Sequence, residues 1–500
     1  MINKILVANR GEIAVRVMRS CREMDILSVA VFSDADGNSM HVRYADEAYH
    51  IGPAPSNESY LNIDKIIAVA KKSGADAIHP GYGFLSENAG FADRCKQEGI
   101  IFIGPTGDAI RSMGDKITAR KTMIKAGVPV VPGTTEPIKD ENEAIKVIRE
   151  IGLPVMIKAS AGGGGKGMRL VQDENMILSS IRAAKSEAKS AFGDDSVYIE
   201  KYIQSPHHIE FQILADNYGN TIHLFERECS VQRRHQKVVE ETPSPLLTPE
   251  VRDKMGKAAV AAAKAVNYSG AGTIEFIVDE DLNYYFLEMN TRLQVEHPIT
   301  ERVVGVDLVK EQIKIANGET LNLKQDELRQ YGHAIECRIY AEDPDRNFMP
   351  SPGVIKHITE PHGLGVRCDG YVYEGYEIPL YYDPLISKLI CWSLERGDAI
   401  ARMKRALYEY KITGVKTSIR LLVRIMDTPD FKEGKYNTHF IEKNRDFLFT
   451  MPPINPRVED VAIMSVFADY LKKVDTFETK VLSKNGRSNW KECGRKKNLQ

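Results

Sequence analysis

The sequence predicts an α/β fold, with a parallel-sheet domain at the N-terminus followed by mixed α+β structure that is built largely on antiparallel strands. Residues 4–8 form a buried apolar run, residues 12–24 carry apolar positions at helical spacing, and residues 27–32 form a second apolar run. Such a strand–helix–strand unit requires a right-handed crossover and a parallel sheet. Four later segments between residues 210 and 288 alternate or run apolar between turn signals, which is typical of antiparallel strands.

The N-terminal domain is predicted at residues 1–114, because apolar runs at 75–79 and 100–103 extend the parallel sheet. A second domain is predicted at residues 115–330, beginning with a helix at 116–126 and a linker that prolines and a glycine interrupt. Part of it, about residues 131–203, is predicted to be a small α/β lid. Its elements are a helix at 144–151 and strands at 154–159, 168–171 and 197–201.

The rest of the second domain is predicted to be an antiparallel sheet with an alanine-rich helix at 251–266. Its strands are expected at 210–215, 222–228, 272–278 and 284–288.

Residues 331–445 form a predicted C-terminal mixed α+β domain of short strands and then helices. Residues 446–500 form an extension: an amphipathic helix at 458–471 and then a basic, polar tail that we expect to be disordered. One face of that helix carries Val461, Met464, Ala468 and Leu471.

Composition excludes several classes of protein. With 500 residues and 43% hydrophobic content, the chain can form three or four domains with large cores. A formal charge of -2 gives no overall reason to expect nucleic acid or an acidic surface as a partner. The seven cysteines are scattered and contain no CxxC pair, which argues against disulfides and zinc. Because no signal peptide or membrane-length apolar run is present, we expect a cytoplasmic protein without membrane contacts.

A dense group of polar residues follows the apolar stretch 284–287. Glu288 and Asn290 leave the end of one predicted strand, and Glu275 lies on its neighbour. Hard oxygen ligands of this kind suit Mg²⁺, which leaves coordination positions for substrate phosphates. Arg292, Gln294 and Glu296 follow within six residues, so an anion site is expected beside the metal. The alternative is a charged strand end with solvated ion pairs.

The segment 160–167 is rich in glycine and contains the pattern GxGxxG, but a strand rather than a helix follows it. It therefore does not fit a dinucleotide fingerprint, and Gly167 after Lys166 also excludes a Walker A loop. A glycine hairpin remains, whose backbone N–H groups can close over a polyphosphate. Lys158, on the strand that enters the loop, would meet those phosphates as a point charge. The alternative is a plain flexible loop.

Metal carboxylates on an antiparallel sheet, together with a small glycine-flap domain, resemble the ATP-grasp ligases. Four longer strings narrow the resemblance further: ILVANRGEIA at 5–14, HPGYGFLSEN at 79–88, QRRHQK at 232–237 and EMNTRLQVEHP at 288–298. On these strings, the chain from residue 2 to about residue 445 closely resembles biotin carboxylase, in the same order and spacing. The loop at 279–283 and Ala161 depart from the family pattern, but neither is a proposed catalytic group.

The resemblance implies a role for each matching residue. The catalytic groups would be Lys237, Arg292, Glu296, as the base for bicarbonate, and Arg338. Bicarbonate would lie against Lys237, Arg292, Gln294 and the Val295 amide, and biotin against Arg338 and Tyr82. The metal ligands would be Glu275, Glu288 and Asn290. ATP would contact Lys116, Lys158, Gly164, Gly165, Glu200, Lys201, Tyr202, Ile203, His208, Gln232, His235, Glu275 and Glu288.

The implied reaction is ATP-dependent carboxylation of biotin through carboxyphosphate, with Mg²⁺ or Mn²⁺ as the metal. Because no Met-Lys-Met triplet occurs in the sequence, we expect biotin to be attached to another protein. The expected partners are therefore a biotin carboxyl carrier or carboxyltransferase subunit, with a homodimer inside a larger complex.

The function expected for the chain is the biotin carboxylase subunit of a pyruvate carboxylase, and three alternatives stay open. The extension and the strings at 382–384 and 413–417 are more similar to the separate biotin carboxylase subunit of two-subunit pyruvate carboxylases. The first alternative is the biotin carboxylase subunit of an acetyl-CoA or propionyl-CoA carboxylase. A different ATP-grasp carboxylate ligase or a nucleotide-binding subunit without turnover are more distant alternatives.

Overall fold

The N-terminal region is a five-stranded parallel sheet in the order β3-β2-β1-β4-β5. The structure is a computed structural model and describes residues 1–138, 140–159, 168–450 and 456–482. The strands are β1 (Lys4–Val7), β2 (Leu27–Ser33), β3 (Glu47–Gly52), β4 (Ala77–His79) and β5 (Ile101–Phe102). The helices are α1 (Gly11–Glu23), α2 (Met40–Tyr44), α3 (Ile63–Ser73), α4 (Ala89–Gln97) and α5 (Gly107–Gly114). The predicted parallel sheet is confirmed.

The middle region contains a small three-stranded sheet, β7-β6-β8, and most of a large antiparallel sheet. Its strands are β6 (Val155–Ala159), β7 (Met168–Val171), β8 (Val197–Lys201), β9 (His207–Ala215), β10 (Thr221–Arg233), β11 (Gln236–Thr242), β12 (Gly270–Val278) and β13 (Tyr284–Asn290). Its helices are α6 (Lys116–Lys125), α7 (Glu141–Ile151), α8 (Ile177–Phe192), α9 (Pro249–Ala265), α10 (His297–Val304) and α11 (Leu308–Ala316).

The large sheet does not end with the middle region, because it continues into strands of the C-terminal third. Its order is β13-β12-β9-β10-β11-β14-β21-β19. The strands of this third are β14 (His333–Tyr340), β15 (Glu342–Asp343), β16 (Met349–Pro350), β17 (Gly353–Val354), β18 (His357–Thr359), β19 (Val366–Gly370), β20 (Glu377–Ile378), β21 (Leu385–Ser393) and β22 (Lys411–Thr413). The helices are α12 (Arg396–Glu409), α13 (Ile419–Asp427), α14 (Pro429–Glu433), α15 (Phe440–Lys443) and α16 (Arg445–Phe449).

A buried arginine connects the first and last of these regions. Arg10 makes a bidentate ion pair with Asp36, at 2.6 and 2.7 Å, and its guanidinium lies 4.2 Å from the centre of the Tyr382 ring. Asp36 also accepts a hydrogen bond from Tyr60 at 2.6 Å. Removal of one partner of such a buried ion pair strongly destabilises the folded protein, because the other charge is left unpaired. The contact therefore fixes the N-terminal sheet against the segment that precedes β21.

The described residues divide into two units, one within 1–449 and one that begins at residue 450. In the second, α17 (Pro456–Leu482) is longer than the predicted helix, which ended at residue 471. The expected disordered tail at 483–500 lies outside the described residues. Across the part of the chain that the structure describes, no helix combines the length and apolarity needed to span a membrane. The domain boundaries at 114, 330 and 445 stay predictions.

Candidate active site

A cavity of about 1290 Å³ opens between the small sheet, the large sheet and the C-terminal helices. The structure brings most of the predicted site residues to its lining. They are Lys158, Glu200, Lys201, Tyr202, Ile203, His208, Gln232, His235, Lys237, Glu275, Glu288, Asn290, Arg292, Gln294, Val295 and Arg338. Both turn residues between β10 and β11, Arg234 and His235, have positive φ angles. That tight hairpin presents His235 to the cavity.

Lys237 forms the centre of a buried charge cluster at the floor of the cavity. Its Nζ lies 2.5 Å from Glu210 Oε2, 3.0 Å from Glu275 Oε1 and 2.7 Å from Glu296 Oε1. Although burial opposes its charge, the three carboxylates raise the pKa of Lys237 well above its usual value. The Lys237 ammonium therefore acts as the fixed cation among carboxylates that otherwise repel one another.

Glu296 is fully buried and ionised, although it does not line the cavity. Burial favours its neutral form, but the charges of Lys237, Arg338 and Arg227 outweigh this and hold the pKa of Glu296 well below its usual value. Arg338 donates to Glu296 Oε2 at 3.0 Å and through Nε to Glu240 Oε1 at 2.6 Å. Burial and the Glu296 charge raise the pKa of Glu240 to about 7 despite Arg338. Two carboxylates thus orient the Arg338 guanidinium.

The predicted metal ligands meet on β12 and β13, where Glu275 is directly opposite Glu288. Asn290 donates to Glu275 Oε1 at 2.8 Å, and His208 lies 2.7 Å from Glu275 Oε2. Glu288 has no hydrogen-bond or ion-pair partner among the described residues. Desolvation by the surrounding protein and the charge of Glu275 raise its pKa. An unpaired carboxylate beside a second one fits a divalent cation, so these oxygen donors suit Mg²⁺.

Arg292 is oriented by a residue from the N-terminal region. Its Nε donates to Glu87 Oε2 at 2.8 Å, and its two terminal nitrogens donate to Gln294 Oε1 and Asn290 Oδ1 at 3.0 Å each. Burial opposes its charge, but Glu87 raises the pKa of Arg292. The planar guanidinium fork is held at the cavity wall, where it suits a planar carboxylate-like anion.

The lysines of the predicted ATP site have different surroundings. Lys158 donates to Glu200 Oε2 at 2.6 Å, and Arg120 donates to the other oxygen of that carboxylate at 3.0 Å. Lys201 donates to the backbone carbonyls of Gly152 and Leu153 at 3.0 Å each, so its ammonium supports the backbone that leads into β6. Lys116 begins α6, where Asp115 caps the helix, and does not line the cavity. Gly164 and Gly165 lie outside the described residues.

Tyr82, like Lys116 and Glu296, is a predicted residue that the cavity lining does not include. Its hydroxyl donates a hydrogen bond to Glu12 Oε1 in the N-terminal region. Its predicted contact with biotin therefore stays a prediction.

Several residues of the site were missed from the sequence. Glu210, Arg227 and Glu240 complete the buried cluster, and Arg227 donates to Glu210 Oε1 at 2.5 Å. The charged residues within the apolar strands β9, β10 and β11 could have indicated them, since a strand buried on both faces is usually apolar. Thr438, His439, Ile441 and Glu442 also line the cavity. They lie next to or within the short helix α15, and no local pattern distinguishes them.

Comparison with known proteins shows the family to which the chain belongs. The chain matches family models for the biotin carboxylase N-terminal domain at residues 1–110, the carbamoyl-phosphate synthase L chain ATP-binding domain at 115–324, and the biotin carboxylase C-terminal domain at 336–443. A pyruvate carboxylase subunit from Methanothermobacter thermautotrophicus is 58% identical, over 89% of this chain and 90% of that protein. Biotin carboxylase 1 of Bacillus subtilis is 56% identical, over 88% of this chain and 98% of that protein.

A solved structure has the same fold. It is the biotin carboxylase domain dimer of 2-oxoglutarate carboxylase from Hydrogenobacter thermophilus, in complex with MgADP, ADP and bicarbonate. It superposes with a TM-score of 0.85 at 50% identity, covering 90% of this chain and 100% of that one. The predicted α/β ATP-grasp fold is thereby confirmed, and this chain belongs to the biotin carboxylase family of ATP-dependent ligases.

Proposed function

We propose that the chain is the biotin carboxylase subunit of a pyruvate carboxylase and carboxylates biotin that is attached to a separate protein. The observation that carries the chemistry is the buried Lys237–Glu296–Arg338 group beside the cavity. The similarity to a pyruvate carboxylase subunit supports this final acceptor, although a biotin carboxylase is matched almost equally well. Acetyl-CoA, propionyl-CoA and 2-oxoglutarate are the competing acceptors.

In the proposed first step, a bicarbonate oxygen attacks the γ-phosphorus of ATP, and the bond from phosphorus to the ADP oxygen breaks. Glu296 accepts the bicarbonate proton. Lys237, Arg292, Gln294 and the Val295 amide hold the anion, and Lys116 and Lys158 offset phosphate charge. Glu275, Glu288 and Asn290 would hold Mg²⁺ or Mn²⁺, which supplies electrostatic stabilisation of charge on the phosphoryl oxygens.

In the proposed second step, carboxyphosphate separates into CO₂ and phosphate. Phosphate takes the proton from the biotin ureido nitrogen, and that nitrogen forms its new bond to CO₂. Arg338 stabilises the oxygen of biotin that gains negative charge, because its guanidinium is already oriented by Glu240 and Glu296. The lid limits the access of water to carboxyphosphate.

The direct test is ATP cleavage that depends on both bicarbonate and free biotin. We expect ADP formation to require bicarbonate and to yield carboxybiotin. A different ATP-grasp ligase would cleave ATP with another carboxylate instead, and a binding subunit would bind ATP without turnover. The acceptor is then identified by isolating the biotinylated protein that co-purifies with the chain and assaying the complex with pyruvate and each acyl-CoA. Carboxylation of an acyl-CoA but not pyruvate would contradict the pyruvate assignment.

A further inference from the structure

Lys388, on β21, is fully buried and has no place in the predicted site. Its Nζ donates to the backbone carbonyl oxygen of Val295 at 2.8 Å and lies 3.2 Å from Glu12 Oε2. A buried ammonium requires paired acceptors, so its position is determined by these two contacts. One contact belongs to the loop of the proposed bicarbonate site and the other to helix α1.

The position of Lys388 in the sheet explains why it reaches this loop. In the antiparallel pair of β14 and β21, Lys388 is directly opposite Arg338. Side chains at opposite positions point to the same face of a sheet. Arg338 holds the carboxylate of Glu296, while Lys388 holds the carbonyl of the residue before it. Two neighbouring strands therefore fix two consecutive residues of one loop.

The contact with Glu12 connects Lys388 to the N-terminal region. Glu12 lies in the first turn of α1 and is buried. Its other carboxylate oxygen accepts the Tyr82 hydroxyl, and the Tyr82 ring centre lies 5.9 Å from Lys388 Nζ. The Asn9 side chain in turn donates to the Tyr82 backbone carbonyl at 2.8 Å. Glu12 therefore ties the Lys388 ammonium to the N-terminal region, in addition to the contact of Lys388 with the loop.

We propose that Lys388 is a positioning residue for biotin carboxylation, which fixes the peptide between Val295 and Glu296 so that the base faces bicarbonate. The proposal rests on the proposed function of this loop. The Val295 carbonyl belongs to the peptide unit that ends at the Glu296 α-carbon, so its hydrogen bond determines where the Glu296 side chain begins. Lys237 and Arg338 fix only the far end of that side chain, through its two carboxylate oxygens. A shift of about 1 Å in such a group can cost about 10²-fold in rate.

The test compares Lys388→Met, which removes the charge and the donors, with Lys388→Arg, which restores both. In bicarbonate-dependent ATP cleavage, we expect Lys388→Met to lower kcat about 10²-fold and to raise KM for bicarbonate. The affinity for ATP should be unchanged, because Lys388 is not among the residues that line the cavity. Lys388→Arg should recover part of the loss. Equal losses in ATP and bicarbonate parameters, without recovery in Lys388→Arg, would overturn the proposal.

Lys404→Met is the matched control. Lys404 is a half-buried lysine of α12 in the same region, paired with Asp427 at 2.5 Å and remote from the loop. We expect its kinetics to equal those of the wild type. Should Lys388→Met fail to fold, Glu12→Gln removes the charge beside Lys388 and must also raise KM for bicarbonate, and an unchanged KM there would contradict the proposal.

Hydrogen exchange separates this proposal from the proposed function. In the absence of substrates, Lys388→Met and Glu12→Gln should speed exchange in a peptide that covers residues 291–297, and Lys404→Met should not. The exchange measurement does not depend on turnover. If the wild-type chain showed no bicarbonate-dependent ATP cleavage, the proposed function would be rejected, and hydrogen exchange would still decide whether Lys388 positions the loop. Unchanged exchange in both variants would show that Lys388 does not position the loop.

Discussion

Glu296 Oε1 accepts a hydrogen bond from Lys237 Nζ at 2.7 Å, while its second oxygen accepts one from Arg338 at 3.0 Å. The two cations come from different strands, β11 and β14, and meet on one buried carboxylate. This pairing keeps Glu296 ionised, and it places the proposed base between the proposed bicarbonate and biotin sites. Proton acceptance by Glu296 therefore has to accompany a rearrangement of these ion pairs when substrate binds.

Replacement of Glu296 by alanine should reduce bicarbonate-dependent ATP cleavage by about 10²- to 10⁴-fold, because the general base is lost. ATP affinity should stay nearly constant, since Glu296 lies at the buried floor and not at the cavity lining. Steady-state kinetics and nucleotide binding measure the two effects. Retention of more than about a tenth of the wild-type rate would remove Glu296 from this role.

Replacement of Arg338 by alanine should affect biotin carboxylation more than bicarbonate-dependent ATP cleavage. A lost donor to a developing oxyanion typically costs about 10²-fold or more. The two rates are measured in parallel, as carboxybiotin and as ADP. Because Arg338 also contacts Glu296, some loss of ATP cleavage is expected, but equal losses in both assays would argue against a specific role at biotin.

Glu275→Gln and Glu288→Gln should each raise the Mg²⁺ concentration that half-maximal activity requires, because each removes an anionic oxygen ligand. Glu275 also accepts hydrogen bonds from Lys237 and Asn290, so its variant should lower the maximal rate as well. Magnesium titrations at saturating ATP separate the two effects. Unchanged titrations in both variants would reject the metal assignment.

A further prediction concerns stability at low pH and the buried Glu241. Burial opposes its charge, but His333 and Arg396 outweigh this and lower the pKa of Glu241 from 4.5 to about 2. Because the folded pKa is depressed, the stabilisation is complete above pH 4.5 and is lost as the pH falls towards 2. Its size is about 3 kcal/mol.

Acid unfolding followed by circular dichroism measures this contribution. Between pH 4.5 and 2, the free energy of unfolding of Glu241→Gln should decrease less than that of the wild type. The exposed Glu433→Gln should leave the curve unchanged. Parallel acid-unfolding curves for the wild type and Glu241→Gln would show that Glu241 does not supply this dependence.

Deletion of residues 450–500 should leave the carboxylation of free biotin unchanged, because the described residues that line the cavity all lie within 1–449. We expect weaker association with the biotinylated partner and slower transfer to it, since α17 carries apolar residues along its length. Co-purification and transfer to the carrier are the measurements. Undiminished transfer would show that the extension is not a docking element.

The sequence by itself determined the elements and the family. Strands such as β1 and helices such as α1 follow from local periodicity, and the motif at 288–298 places metal-type and anion-type ligands next to one another along the chain. The facing pair of Glu275 and Glu288 could not be inferred in this way. Regular strand spacing would place Leu287 opposite Glu275, and the register shift between Glu275 and Phe276 makes Glu288 the partner instead.

Only the tertiary structure decided which distant residues complete the site. Glu87 orients Arg292, Arg338 pairs with Glu296, and Lys388 holds the Val295 carbonyl, although each pair is far apart in sequence. No local pattern encodes these contacts, because they depend on how β14 and β21 continue the large sheet beside the N-terminal region. Buried charges then take the partners that packing offers, since an unpaired buried charge is too costly to persist.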